Sequence, residues 1–198
     1  KTIVLPEGHD DRILAAAEET LKQGIANLVI LGDAEEINAK GYNLEGAEII
    51  NPATSDKVEE FASLLFELRK KKGMTEEEAH ELVTKDNIYF ATMMVKTGQC
   101  DGLVGGASCA TVKILSPALK VLKTAPGAPM VSSLFLMEVP NCDLGENGIF
   151  AFADCALEIQ PTAEKLAHIA NLTNESFKRL LGKEARIALL SHSSYGSA

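Results

Sequence analysis

No tryptophan occurs in the 198 residues, and aromatic side chains make up only 5% of them. A core built from this chain must therefore be aliphatic and alanine-rich. Positive charge is also scarce: 28 acidic residues face 19 basic ones, for a net charge of −9. A nucleic-acid partner is excluded on that ground, because no basic face with interleaved aromatics is present. The four cysteines, Cys100, Cys109, Cys142 and Cys155, show no C-x-x-C spacing and no neighbouring histidine. They read as reduced thiols of a cytoplasmic protein, and neither a disulfide framework nor a zinc site is expected. No H-E-x-x-H or paired-histidine spacing points to a metal. No apolar run approaches the ~20 residues that span a membrane, and no signal peptide is visible. The start at Lys1 leads us to expect that an initiating residue or more is missing. Finally, no G-x-G-x-x-G follows the first apolar run, so a nicotinamide enzyme lacks its fingerprint.

What is present is ordinary globular material, 46% hydrophobic and 24% charged, sufficient for one large domain or for one and part of another. Thr2–Leu5, Asn27–Leu31 and Ala47–Ile50 read as buried strands. Between them lie a helix capped by Asp10 or Asp11, with Ile13, Leu14, Ala17 and Leu21 on one face, and a short helix capped by Asp33. Alternation of strand and helix at this spacing is the pattern of a parallel sheet covered by helices. Ser55 is expected to cap a long helix running to Lys72 and stopped by Gly73. Thr75 and Glu78 form a capping box for the next helix. Asn87–Lys96 is helical, and its Met pair is expected to fill core. The spacing predicts strands at Met130–Met137 and Ile149–Asp154 that can pair as a hairpin, a helix opened by Pro161, and a last strand at Arg186–Leu190. The expected division is a first α/β domain over 1–137 and the start of a second, truncated, over 138–198.

Two turns can carry chemistry. After Leu103-Val104, the run Gly105-Gly106-Ala107-Ser108-Cys109-Ala110-Thr111 leads into a helix with Val112, Leu115, Leu119 and Leu122 at helical spacing. A strand, a tight turn and a helix start expose N–H groups and the positive end of a helix dipole, which suit an anion such as phosphate. Glycines at such a turn equally serve backbone geometry alone, and the pair by itself does not separate the two readings. Ser191–Ala198 is a second small-residue turn at a strand end, readable also as a solvated loop. Asp154 and Cys155 end a strand and are placed to face a cleft, with a buried, inert thiol as the default for Cys155. His9 and His192 fall in loops, and His80 and His168 on helices. Arg69-Lys70-Lys71-Lys72 ends a helix, where cations complement the dipole.

Phe152-Ala153-Asp154-Cys155-Ala156 and Pro161-Thr162-Ala163-Glu164-Lys165-Leu166-Ala167-His168-Ile169-Ala170 together resemble the central signature of the phosphate acetyltransferases (phosphotransacetylases). The resemblance is collinear through Val4-Leu5-Pro6-Glu7-Gly8, Glu67–Thr75, Asp101–Val104, Leu122–Gly127, Val131–Met137 and Leu189–Ala198. It implies a three-layer αβα fold with a mostly parallel sheet, related to isocitrate and isopropylmalate dehydrogenases, in two domains with the active site in the cleft between them. It further implies a cytoplasmic homodimer that interconverts acetyl-CoA plus phosphate with acetyl phosphate plus CoA. Coenzyme A is then a substrate, with no cofactor or metal and no membrane or nucleic-acid partner. The family's catalytic base and Arg are expected in a C-terminal segment outside these residues, so no catalytic residue is named and the fragment alone is expected to be inactive. Substrate-binding positions implied by the match are Thr111, Ser193, Ser194, Gly196 and Ser197, with Arg69, Lys113 and Cys155. Departures concentrate in the first turn. Where the family often has His-Ser-Thr-Ala-Asp and later an Arg before Pro, this chain has Cys109, Ala110, Thr111, Val112 and Lys113, then Ser116. Butyryl transfer, or a non-catalytic regulatory or dimerisation domain of the same family, are the alternatives.

Overall fold

Side chains alternate along a strand, so a strand with apolar residues at every position needs cover on both faces. In the computed structural model, which describes residues 1–190, β1 (Thr2–Leu5) and β2 (Asn27–Leu31) receive such cover. They lie in a four-stranded sheet of order β3-β2-β1-β4, with β3 at Glu48–Ile50 and β4 at Gly102–Leu103. Every pairing is parallel, with Val4 opposite both Val29 and Leu103. Leu5, Leu28 and Ile30 pack on Leu14 and Ala17 of α1 (Asp11–Lys22) and on Ile37 of α2 (Ala34–Ala39). Val4, Val29 and Leu31 pack on the opposite side against α3 (Val58–Arg69), α4 (Glu76–Lys85) and α5 (Asn87–Lys96). Two helical layers thus enclose a parallel sheet, as the alternation of strands and helices predicts. The second core is centred on Phe61 and Phe90, whose rings meet edge to face at 5.0 Å, and it takes in Met93 and Met94.

Local signals set most helix ends. Asp10 caps α1, Asp33 caps α2, Asp86 caps α5, and Thr75 with Glu78 makes the capping box of α4. Ser55 does not cap α3. Asn51 and Pro52 start a separate 3₁₀ turn over Pro52–Thr54, Ser55 bonds the Lys57 N–H, and the helix opens at Val58. Lys70–Lys72 forms its own short turn, ended by Gly73 at φ +86.

α6 (Thr111–Val121) follows β4. Its expected apolar face is largely open: Val112 is 66% exposed, and Leu119 and Leu122 are also exposed, while Pro117 and Val121 are the buried residues. The helix packs through those two against α5 and α3 rather than through its longest apolar stripe.

The chain divides into two units at Lys123/Thr124. The expected division after residue 137 falls inside β5 (Leu134–Glu138), which pairs antiparallel with β6 (Ile149–Ala153) and so belongs with the second unit. The hairpin itself forms as predicted, with Leu136 opposite Ala151. Thr162 caps α7 (Ala163–Leu181), which Gly182 ends at φ +71. Residues 184–190 form no strand, contrary to expectation, and Leu190 is 91% exposed. A strand exists only by pairing its backbone, and among the described residues of this unit β5 and β6 pair only with each other. No helix among the described residues is long and apolar enough to cross a membrane.

Phe61→Ala should remove about 3–5 kcal/mol of stability, because a fully buried ring leaves a cavity that its neighbours cannot close. Val112→Ala, on the open side of α6, should change it by less than about 0.5 kcal/mol. Urea unfolding followed by circular dichroism measures both, and equal effects would contradict this packing.

Candidate functional site

Because β1 and β4 are parallel neighbours, their carboxyl ends leave the sheet side by side. That edge is where open α/β sheets bind ligands. From β1 emerges Pro6-Glu7-Gly8-His9, and from β4 emerges Val104-Gly105-Gly106-Ala107-Ser108. Gly106 turns at φ +105, a conformation that strains any side chain, and the following N–H groups converge. The Gly-Gly turn is therefore an anion hole, as its sequence suggests, and the protein fills it. The Glu7 carboxylate accepts the N–H groups of Gly106 (2.7 Å), Ala107 (2.9 Å) and Ser108 (2.8 Å), and the Ser108 hydroxyl (2.7 Å).

Glu7 is 3% exposed. Burial alone would raise its pKa, but the bonds from Ser108, Ala107 and Gly106 outweigh it and bring the value down to about 2. Two glycines seat these loops, Gly8 against the exit of β2 and Gly105 against the loop of Pro6. A Cβ on Gly8 would stand 2.6 Å from the Leu31 carbonyl oxygen, and one on Gly105 would stand 3.0 Å from the Pro6 ring. The Ser108 hydroxyl spends its proton on Glu7, so His9, 3.1 Å away, donates to it through Nε2. Arg12 forks onto Asp10 (3.0 and 2.7 Å) and also donates to the Ala107 carbonyl. Lys40 bonds the His9 carbonyl (2.8 Å) and Asp11 (2.7 Å), and Asn87 reaches the Pro6 carbonyl (3.0 Å).

Four of the sequence-derived positions lie directly after this turn. Thr111 is the first residue of α6 and Lys113 sits in its first turn; both are exposed, and Lys113 makes no ion pair among the described residues. Ser116 lies three residues beyond Lys113, on an adjoining part of the same helix face. Cys109 is half-buried. Its thiol is held above the usual range by desolvation first and then by the Glu7 charge, against a smaller opposite pull from Lys113. Arg69 is not near them. α3 starts beyond the carboxyl end of β3, runs its 12 residues (about 18 Å), and α4 returns to Asn87 beside Pro6. Arg69, at the far turn of that pair, is at the other end of the unit. Ser193, Ser194, Gly196 and Ser197 lie outside the described residues.

In the second unit, Asp154 repeats the device seen at Glu7. Its carboxylate accepts the Ser133 hydroxyl (2.6 Å) and the N–H groups of Ser133 (3.0 Å), Ala156 (2.9 Å) and Leu157 (2.8 Å). Burial opposes ionisation, but the bonds from Leu157, Ser133 and Ala156 hold the carboxyl well below the usual range. Ser133 also accepts the N–H groups of Cys155 (3.3 Å) and Ala156 (3.0 Å), and the Cys155 thiol lies 3.4 Å from its hydroxyl. Cys155 is half-buried there. Sequence reasoning missed Glu7, Ser108 and Ser133 as site-builders. The one available signal was an acidic residue between Pro6 and Gly8 at a strand exit, opposite a turn that needs an anion.

Comparison with known proteins identifies relatives along the whole chain. The phosphate acetyl/butaryl transferase family matches residues 1–198. The phosphate acetyltransferase of Thermoanaerobacterium thermosaccharolyticum is 56% identical over 200 residues, covering all of this chain and 61% of that enzyme. The enzyme of the same name from Acetivibrio thermocellus is 50% identical, over all of this chain and 60% of its own length. Among solved structures, EutD phosphotransacetylase from Staphylococcus aureus superposes with a TM-score of 0.84 at 35% identity, and a phosphotransacetylase from Streptococcus pyogenes with 0.85 at 35%. Both superpositions cover the whole chain and 58% and 59% of those structures. The chain thus spans about 60% of the length of the curated relatives it matches.

Because folding lowers the Glu7 pKa from 4.5 to about 2, its ionised form contributes stability that is complete above the unfolded value and lost as pH falls toward 2. The contribution at neutral pH is about 3 kcal/mol at most. Glu7→Gln should therefore be less stable than the parent at pH 7, with the difference shrinking below pH 4. Urea midpoints from pH 7 to pH 2.5 test this, and a gap that stays constant would contradict it.

Proposed function

The chain belongs to the phosphate acetyl/butaryl transferase family, and on that premise we propose that the protein it comes from is a phosphate acetyltransferase. It would interconvert acetyl-CoA plus phosphate with acetyl phosphate plus CoA. The observation that carries this reading is the 56% identity with a phosphate acetyltransferase along the entire chain. Coenzyme A is a substrate in this scheme, and no cofactor takes part. A dimeric, cytoplasmic enzyme of the isocitrate dehydrogenase type of fold, with its active site in a cleft between two domains, completes the proposal.

The chemistry is a direct displacement. In the acetyl-CoA-forming direction a base takes the CoA thiol proton, and the thiolate attacks the acetyl carbonyl of acetyl phosphate. Positive and hydroxyl groups stabilise the tetrahedral charge, and phosphate leaves. Neither Glu7 nor Asp154 suits the base. Each carboxylate is held ionised by its hydrogen bonds, and a carboxylate stabilised that far is a poor proton acceptor. As the family resemblance implies, the base and the Arg that stabilises charge are assigned to the part of the relatives' length that this chain does not span. Thr111 and Lys113 are assigned to the phosphate end of the substrate, together with the loop of Ser193, Ser194, Gly196 and Ser197. Cys155 lines the site without acting as a nucleophile. Arg69, at the other end of its unit, is the weakest of the substrate positions carried over from the family.

Two measurements test this reading. A protein carrying this chain at the length of its relatives should form acetyl phosphate from acetyl-CoA and phosphate, and run the reverse reaction. Absence of transfer with acetyl, propionyl and butyryl donors would overturn it, and a preference for butyryl would move the protein to the other branch of the family. Lys113→Ala should raise the KM for phosphate about fivefold, the effect of removing one partly solvated cation. An unchanged KM would remove Lys113 from the site.

A further inference from the structure

The Glu7 carboxylate ties together groups 99 to 101 residues away in sequence. Three N–H dipoles aimed at one point repel one another unless an anion sits there, so the shape of the 106–108 turn depends on what occupies it. Here the occupant is internal and nearly inaccessible. The turn runs within three residues into Thr111, and Ile114, in the first turn of α6, packs back against Gly105 and Gly106. Ala110 stands at the cap position and offers no side-chain bond to the first N–H groups of the helix. What anchors the turn is Glu7, with His9 bracing Ser108 and Arg12 bracing the Ala107 carbonyl.

We propose that Glu7 is a positioning residue for phosphate recognition: by filling the hole made by Gly106, Ala107 and Ser108, it sets where the first turn of α6 presents Thr111 and Lys113. The inference rests on the phosphate acetyltransferase reading. It also assigns the roles within this turn. The N–H groups that look like a phosphate cradle are structural, and the substrate meets side chains of the next helical turn.

The test uses the full-length protein and the variants Glu7→Gln, Glu7→Ala and Ser108→Ala. Glu7→Gln keeps the size of the side chain but turns an amide NH₂ against N–H donors. It should raise the KM for phosphate about tenfold, the value of one charge-assisted hydrogen bond, while the KM for acetyl-CoA stays within about twofold. In Glu7→Ala the hole is open, and added formate should lower the phosphate KM again by supplying the missing carboxylate. A purely structural role would raise both KM values or lower the active fraction, and formate would do nothing. Either of those results, or an unchanged phosphate KM, overturns the proposal. If both Glu7 variants fail to fold, Ser108→Ala decides, because it removes one of the bonds and keeps the backbone donors. A rise of about threefold for phosphate alone is expected, and no rise overturns the proposal. Amide hydrogen exchange is read alongside. Glu7→Gln, or Ser108→Ala in its place, should speed exchange at residues 106–108 and on through Lys113, leaving β2 and α3 unchanged. Faster exchange that stops at Ser108 overturns the positioning role. This last readout needs no activity, so a parent protein without acyl transfer would overturn the proposed function and leave the positioning role decided by exchange.

Discussion

One carboxylate against three converging N–H groups fixes the carboxyl edge of the sheet. Parallel strands β1 and β4 deliver two loops to the same place, but pairing within the sheet ends at their last residues. Beyond it, Glu7 supplies the connection that the sheet no longer makes. The local sequence follows from that contact. Gly106 takes a left-handed turn so that successive N–H groups point the same way; Gly105 leaves room for the Pro6 ring, and Gly8 lets the first loop lie against the exit of β2. A buried charge is tolerated because its lone pairs are met by donors, which is also why its pKa falls although burial alone would raise it.

Asp154 solves the same problem in the second unit, gathering Ser133 with the backbone of Ala156 and Leu157 at the exit of the β5–β6 hairpin. In both units an acidic residue at a strand end looks, from composition alone, like a candidate for proton transfer. In both, the hydrogen bonds that hold it ionised also deprive it of basicity. A carboxylate surrounded by donors is an architectural element, and catalytic carboxylates are to be sought where burial or a like charge pushes the pKa up.

Features encoded within a few residues were legible before the structure. The caps at Asp10 and Asp33, the box of Thr75 with Glu78, the glycine stop at Gly73, and the short apolar strands all depend on neighbours in sequence. Features that depend on distant partners were not. Nothing near Glu7 says that its oxygens meet residues a hundred positions away. The stripe of Val112, Leu119 and Leu122 has the spacing of a buried face, yet α6 is pinned by Pro117 and Val121, and which stripe is covered depends on α3 and α5. Arg186–Leu190 has strand composition but no neighbouring backbone to pair with among the described residues. The boundary between the units has a related dependence: β5 belongs to whichever unit holds its partner β6. The family resemblance was legible throughout, because it rests on residue identity rather than on contacts.

An internal anion in the turn also changes the electrostatic demand at the start of α6. A free helix N-terminus attracts phosphate through its dipole. With Glu7 ionised against the turn that leads into the helix, part of that attraction is already spent. The thiol of Cys109, between the two charges, registers the balance: once desolvation is counted, the push from Glu7 exceeds the pull from Lys113. A phosphate approaching Thr111 under the proposed reaction therefore needs cationic side chains more than it would at an unfilled turn. The family pattern that the chain resembles often has an Arg before the helix proline, where a guanidinium can fork onto two phosphate oxygens. Ser116 offers only a hydroxyl there, and Lys113 supplies its charge as a point on a flexible stem. Full charge with reduced geometric grip favours weaker, less orientation-dependent phosphate binding over loss of the site. The turn can therefore keep its fold, through Glu7, while its substrate contacts vary.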